Sequence, residues 1–126
     1  MLPFVAACRA RLILVNRWDY LGSTPFTDTE LASLGSQNLQ TRAKALAQQG
    51  LDIGLFLAWL VREEKIPPVS IDPDGNKRGG IALVPWSLVH TPLVGLLAHA
   101  DTLPVDARKA LEPCLRAYCI FGTRFP

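Results

Sequence analysis

A chain of 126 residues is long enough for one domain that buries about two-thirds of the surface its unfolded form exposes, so neither a metal nor a disulfide is needed to hold it together. Hydrophobic residues make up 49% of it and charged residues 19%, which excludes a disordered chain and leaves material for an apolar contact surface. A net charge of +2 excludes a globally basic nucleic-acid binder and confines any such role to a local patch, while three cysteines without paired spacing point to a reduced, cytoplasmic protein.

In chain order, Pro3 suits a first helical turn, and Val5, Cys8, Leu12 and Val15 recur at helical intervals. Leu12 to Val15 alone would also suit a strand. Arg9, Arg11 and Arg17 make this the most basic segment, with Arg9 and Asn16 on the polar face of the helical reading. Val5-Ala6-Ala7-Cys8 has the look of a lipoprotein cleavage site, but only seven residues precede Cys8 and none is basic, so no leader is expected.

Asp19, Gly22, Ser23 and Pro25 read as a loop. Thr27 and Glu30 then form a capping box, with Phe26 and Leu31 placed as a hydrophobic staple, and a helix begins there. Gly35-Ser36 breaks it and Ser36 recaps a second piece, in which Leu39, Ala43, Leu46 and Ala47 share a face. Gly50 is the expected terminator, and Asp52 the expected cap of the next helix.

That next helix is apolar nearly all round. Ile53, Phe56, Leu57 and Leu60 follow at helical spacing, and Leu55, Trp59 and Val61 fill much of the remaining circumference, so it should be covered on most sides. Pro67 and Pro68 end it by about Ile66. Val69 and Ile71 on one side, and Ile81 and Leu83 on the other, then alternate as the two strands of a hairpin, joined by Pro73-Asp74-Gly75-Asn76-Lys77-Arg78-Gly79-Gly80 with Lys77 and Arg78 at its tip.

Ile81 to Ala100 holds twenty residues without a charged side chain, yet Pro85, His90, Pro92 and His99 interrupt it, and a buried strand followed by a buried helix is expected in place of a membrane span. Thr91-Pro92 should start that helix, with Leu93, Leu96 and Leu97 inward. Asp101 and Thr102 open the last one, where Ala107, Leu111, Cys114 and Tyr118 keep helical phase through Pro113 as a kinked helix. The fold class is therefore α+β, mainly helical, with about five helices and one central β-hairpin in a single compact domain over residues 1–126.

Motif by motif, chemistry finds little purchase. Asp72, Asp74 and Asn76 open like a calcium loop, but Lys77 stands at the glycine position and Leu83 at the bidentate carboxylate. Gly75 to Gly80 has the glycine spacing of a phosphate loop, but Ile81-Ala82 replaces its lysine and hydroxyl residue. Cys119 and Arg124 enclose four residues, where a thiolate phosphatase loop has five. His90, His99, Cys114 and Cys119 have no paired ligand spacing. No catalytic residue, metal or cofactor is expected, and the chain is read as a non-enzyme.

Helices followed by a hairpin with a basic tip resemble the later part of a winged-helix domain, in which the preceding helix reads the major groove. The helix in that position here offers no Arg, Asn or Gln between Ile53 and Val61 to read base edges. The leading expectation is a non-catalytic interaction module, an adaptor, inhibitor or subunit that binds a protein partner or itself. Trp18, Trp86 and Phe125 are its candidate anchors. The alternative is a winged-helix-like nucleic-acid-binding domain using Lys77 and Arg78 with some of Arg9, Arg11, Arg17, Arg42 and Lys44.

Overall fold

The computed structural model describes residues 5, 10–16, 18–85 and 90–119, and its backbone divides into two compact units, Met1–Ala32 and Ser33–Pro126. Helix dominates, with two small sheets. Among the described residues there are four α-helices: α1 (Asp28–Leu34), α2 (Leu39–Glu63), α3 (His90–Ala98) and α4 (Val105–Leu111).

In the first unit, residues 10–16 are neither helix nor paired strand. Among the described residues no strand pairs with Leu12 to Val15 to complete a ladder. The loop behaves as its composition implies. Asp19 and Gly22 take positive φ, the Ser23 amide donates to Tyr20 O at 2.9 Å, and the Phe26 amide donates to Asp19 Oδ1 at 3.3 Å. The capping box forms as expected. The Thr27 amide donates to Glu30 Oε2 at 2.7 Å and the Glu30 amide to Thr27 Oγ1 at 3.3 Å. The Thr27 amide is the main reason the Glu30 carboxyl is held below its ordinary range.

In the second unit the break after α1 falls where Gly35-Ser36 placed it, but the cap lies two residues on. Asn38 Oδ1 accepts from the amides of Gln40 (2.9 Å) and Thr41 (3.2 Å), while Ser36 Oγ accepts from the Asn38 amide. The chief departure is at Gly50, which ends nothing. α2 runs through it for 25 residues, and Asp52 sits inside the helix accepting from Gln48 Nε2 at 2.9 Å. Gly50 is buried because α3 crosses there. A Cβ on Gly50 would overlap Leu96 N and lie 2.6 Å from Gly95 C and 2.8 Å from Pro92 O, and one on Gly95 would lie 2.9 Å from Leu46 O.

The far end of α2 stops as the prolines require, through backbone geometry of its own. The Ile66 amide bonds Val61 O at 3.0 Å and the Lys65 amide bonds Arg62 O at 3.3 Å, with Lys65 in the left-handed region at φ 49°. This is a Schellman closure with a lysine where glycine is preferred.

The expected hairpin exists but pairs differently. β1 (Ser70–Ile71) is antiparallel to β2 (Lys77–Arg78), with Ser70 opposite Arg78 and Ile71 opposite Lys77. The turn is therefore Asp72 to Asn76, closed by the Gly75 amide on Asp72 O at 2.9 Å with Gly75 at φ 81°. Lys77 and Arg78 belong to a strand and not to a tip. β3 (Ile81–Leu83) instead pairs in parallel with β4 (Leu115–Tyr118), Ile81 opposite Leu115 and Leu83 opposite Tyr118. Parallel strands need a long crossover, here made of α3, a 3-10 turn (Ala100–Thr102), α4 and a second 3-10 turn (Glu112–Cys114).

The last helix accordingly stops at Leu111 and does not continue to Tyr118. Pro113 cannot donate within a helix and crowds the carbonyl four residues back. The Val69 amide takes Pro113 O at 2.8 Å, and the chain leaves as a strand. Leu57, Ala58, Leu60 and Val61 of α2, Leu93 and Leu96 of α3, Leu103, and Ala107, Leu111 and Cys114 form the core, with Ile81, Leu83, Leu115 and Tyr118 packed on it.

Gly50→Ala gains about 1 kcal/mol of helix propensity but meets three backbone atoms that cannot move singly. Overpacking of about 1–3 kcal/mol or more outweighs that gain, and urea titration should show a net loss. Gly54→Ala, whose new methyl meets only the ends of Leu96 and Leu103, should cost less. Lys65→Gly should raise stability by up to about 1 kcal/mol, because a left-handed non-glycine residue costs roughly 1–2 kcal/mol and glycine returns part of that as chain entropy.

Candidate interaction surface

α2 buries one side and exposes the other. Gly50, Gly54, Leu57, Ala58 and Val61 share the side covered by α3, Leu103 and α4. Opposite them, Asp52, Leu55, Trp59 and Arg62 recur at intervals of three, four and three residues, a single outward stripe. Leu55 remains 43% exposed and Trp59 53% exposed. The reading of this helix as covered on most sides is thus corrected. Of the residues expected to fill its circumference, Val61 is buried in the core, while Leu55 and Trp59 form an open apolar patch. Phe56 lies beside Trp59 with ring centroids 5.8 Å apart, which restrains the indole.

Polar groups frame the patch. Gln48 and Asp52 bond each other at one end. At the other, Arg62 Nη2 donates to Asp106 O at 2.8 Å and Asp106 Oδ2 at 3.1 Å, tying α2 to α4, and that guanidinium contact is the main cause that lowers the Asp106 carboxyl from its ordinary value. The line Gln48, Asp52, Leu55, Trp59, Arg62 was the available sign in the sequence. An apolar pair in register with polar residues a turn away on each side belongs to a face that meets water.

Of the anchors expected from sequence, Trp18 is partly buried and stacks on Phe26, with ring centroids 6.2 Å apart. Trp86 and Phe125 lie outside the described residues, as do Arg9 and Arg17. Arg11, Arg42 and Lys44 are exposed. Arg42 and Lys44 stand in the first turns of α2, about 30 Å of helix from its C-terminal end. The base of the hairpin is anchored just beyond that end, where the Gly80 amide donates to Pro67 O at 2.9 Å.

Arg78 is already engaged. Its Nε donates to Asp72 Oδ2 at 2.9 Å, and Asp72 also accepts from the amides of Asn76 (2.8 Å) and Asp74 (3.1 Å). The Asn76 amide contributes most to holding the Asp72 carboxyl below its ordinary range.

Two other places combine chemistry with shelter. His90 Nδ1 and Tyr118 Oη lie 3.3 Å apart, joining the start of α3 to β4, and His90 Nε2 is buried without a hydrogen-bond partner among the described residues. Burial raises the Tyr118 hydroxyl and the Cys114 thiol, the latter 3.7 Å from Ile66 O. An open groove of about 430 Å³ runs over Leu96, Leu97, Leu103, Leu111 and Leu115, and its Arg108 is tied to Asp101 O at 3.3 Å. Among the described residues no group of three or more His, Cys, Asp or Glu side chains could hold a metal, and no helix is long and apolar enough to cross a membrane.

Comparison with known proteins finds no family model, curated protein or solved structure that matches the chain. What the fold defines is a mixed helical and sheet protein built on one long helix with an open apolar stripe.

The Asp72 turn yields a pH prediction. A carboxyl lowered on folding contributes stability that is fully present above its unfolded value and is lost as pH falls through the folded one. The Asp74 and Asn76 amide resonances should therefore shift together below the ordinary aspartate range, and Asp72→Ala should abolish that titration in an NMR pH series.

Proposed function

We propose that this chain is a non-catalytic protein-interaction module, an adaptor, inhibitor or subunit of a complex, and that it makes contact through Leu55 and Trp59. With its odd number of cysteines it belongs, in this reading, to a reducing, cytoplasmic setting. The observation that carries the reading is the half-exposed tryptophan near the C-terminal end of the helix whose other side builds the core. Tryptophan is the residue type most enriched at binding hot spots, and a rigid helix presents it at little entropic cost.

The polar frame of Asp52 and Arg62 gives such a patch the wet rim of an interface. Trp18, Trp86 and Phe125 remain secondary anchors in this reading. Winged-helix-like binding of nucleic acid is the competing one. It rests on exposed Lys77 and Arg78, and the charge of Arg78 is largely balanced by Asp72 beside it.

The two readings separate by mutation. With immobilised protein as bait in a cell lysate, a partner should be retained by the wild type and by Lys77→Glu with Arg78→Glu, and lost with Trp59→Glu. Salt-sensitive binding of a labelled DNA duplex by fluorescence anisotropy, lost in the double charge reversal and kept in Trp59→Glu, would transfer the assignment to nucleic acid.

A further inference from the structure

We propose that the exposed stripe of α2 is a self-recognition surface on which a second copy of this chain packs antiparallel. The inference rests on the interaction reading above and names its partner. The stripe Asp52, Leu55, Trp59, Arg62 is symmetric about its own midpoint. Reversing the helix direction exchanges Leu55 with Trp59 and Asp52 with Arg62. An isologous contact imposes that exchange, since residue i must meet j while j meets i.

With two α2 helices crossing at the level of Leu57, each Trp59 lies over the partner's Leu55. Each Asp52 comes level with an arginine of opposite charge across the seam. A parallel crossing would instead set Asp52 against Asp52 and Arg62 against Arg62. The charges therefore select the antiparallel sense, while the tryptophans and leucines supply the buried area.

Internal contacts leave both charges able to take part. Arg62 spends one nitrogen on Asp106, and a guanidinium carries five N–H donors. Asp52 accepts from Gln48 through one oxygen. Glu63, one position beyond Arg62 on the flank past Trp59, opposes the arrangement because it falls on the side of the partner's Asp52. Two large side chains per copy also cover less than the roughly 800 Å² per partner of a tight complex, so the dissociation constant is expected on the order of 10–100 μM.

Sedimentation equilibrium of the full chain over about 5–500 μM should show a monomer–dimer equilibrium in this range. Trp59→Glu should weaken it tenfold or more with unchanged circular dichroism, and Glu63→Gln should tighten it a few-fold. Orientation is read by oxidation in a chain whose Cys8 and Cys119 are serine. A mixture of Asp52→Cys and Arg62→Cys chains should form the mixed disulfide in preference to either symmetric one.

A wild type that stays monomeric throughout overturns the proposal, as does a dimer indifferent to Trp59→Glu or a predominance of symmetric disulfides. A monomeric wild type whose foreign partner is nevertheless lost with Trp59→Glu would leave the interaction reading standing and remove self-recognition alone.

Discussion

Two glycines meeting across a helix crossing set the rest of the second unit. At Gly50 and Gly95 the backbones of α2 and α3 approach so closely that neither position has room for a methyl group. Close approach brings Leu96 down against Gly54 and Leu103, where it is almost wholly buried. Once α3 lies along that side of α2, the 3-10 turn and α4 follow on the same side, and the core forms between them. The opposite side of α2 is left to solvent by the same geometry. Exposure of Leu55 and Trp59 is thus a consequence of how the core is built.

The crossover that carries α3 and α4 is closed by a short parallel pair, β3 with β4. Two parallel strands of this length contribute little alone, and their value lies in position. They return the chain beside the end of α2, where Val69, Gly80, Cys114 and Ile66 are bound to or packed on one another. The proline turn after α2 and the proline turn after α4 are joined there by the bond from the Val69 amide to Pro113 O. Prolines thereby end two helices and also hold their ends together.

Charge in this protein is spent locally. Asp72 organises its own turn and neutralises Arg78, Glu30 caps its own helix, and Asp106 holds Arg62. Arg62 and Arg78 thus each stand beside an acid of their own unit, in keeping with the small net charge. The apolar stripe between Asp52 and Arg62 is the surface on which the proposed protein contact rests.

Local chemistry was legible from the residues alone wherever it closed within a few positions. The capping box of Thr27 and Glu30, the loop at Asp19 to Pro25, the stop at Pro67-Pro68 and the turn around Gly75 all follow from side chains bonding their own backbone or fixing their own φ. Whatever depended on a distant segment was not legible. Gly50 reads as a terminator because nothing in its neighbours announces that Gly95 will lie against it. Ile81 to Leu83 reads as the partner of the nearest strand, although its mate is more than thirty residues on, and Tyr118 keeps helical phase with Leu111 while belonging to that mate. The candidate site followed the same division: Leu55 and Trp59 were visible as large apolar residues, but periodicity states only which residues share a face. Which face is covered is settled by the neighbours that reach it, and that was decided by a backbone contact between two glycines 45 residues apart.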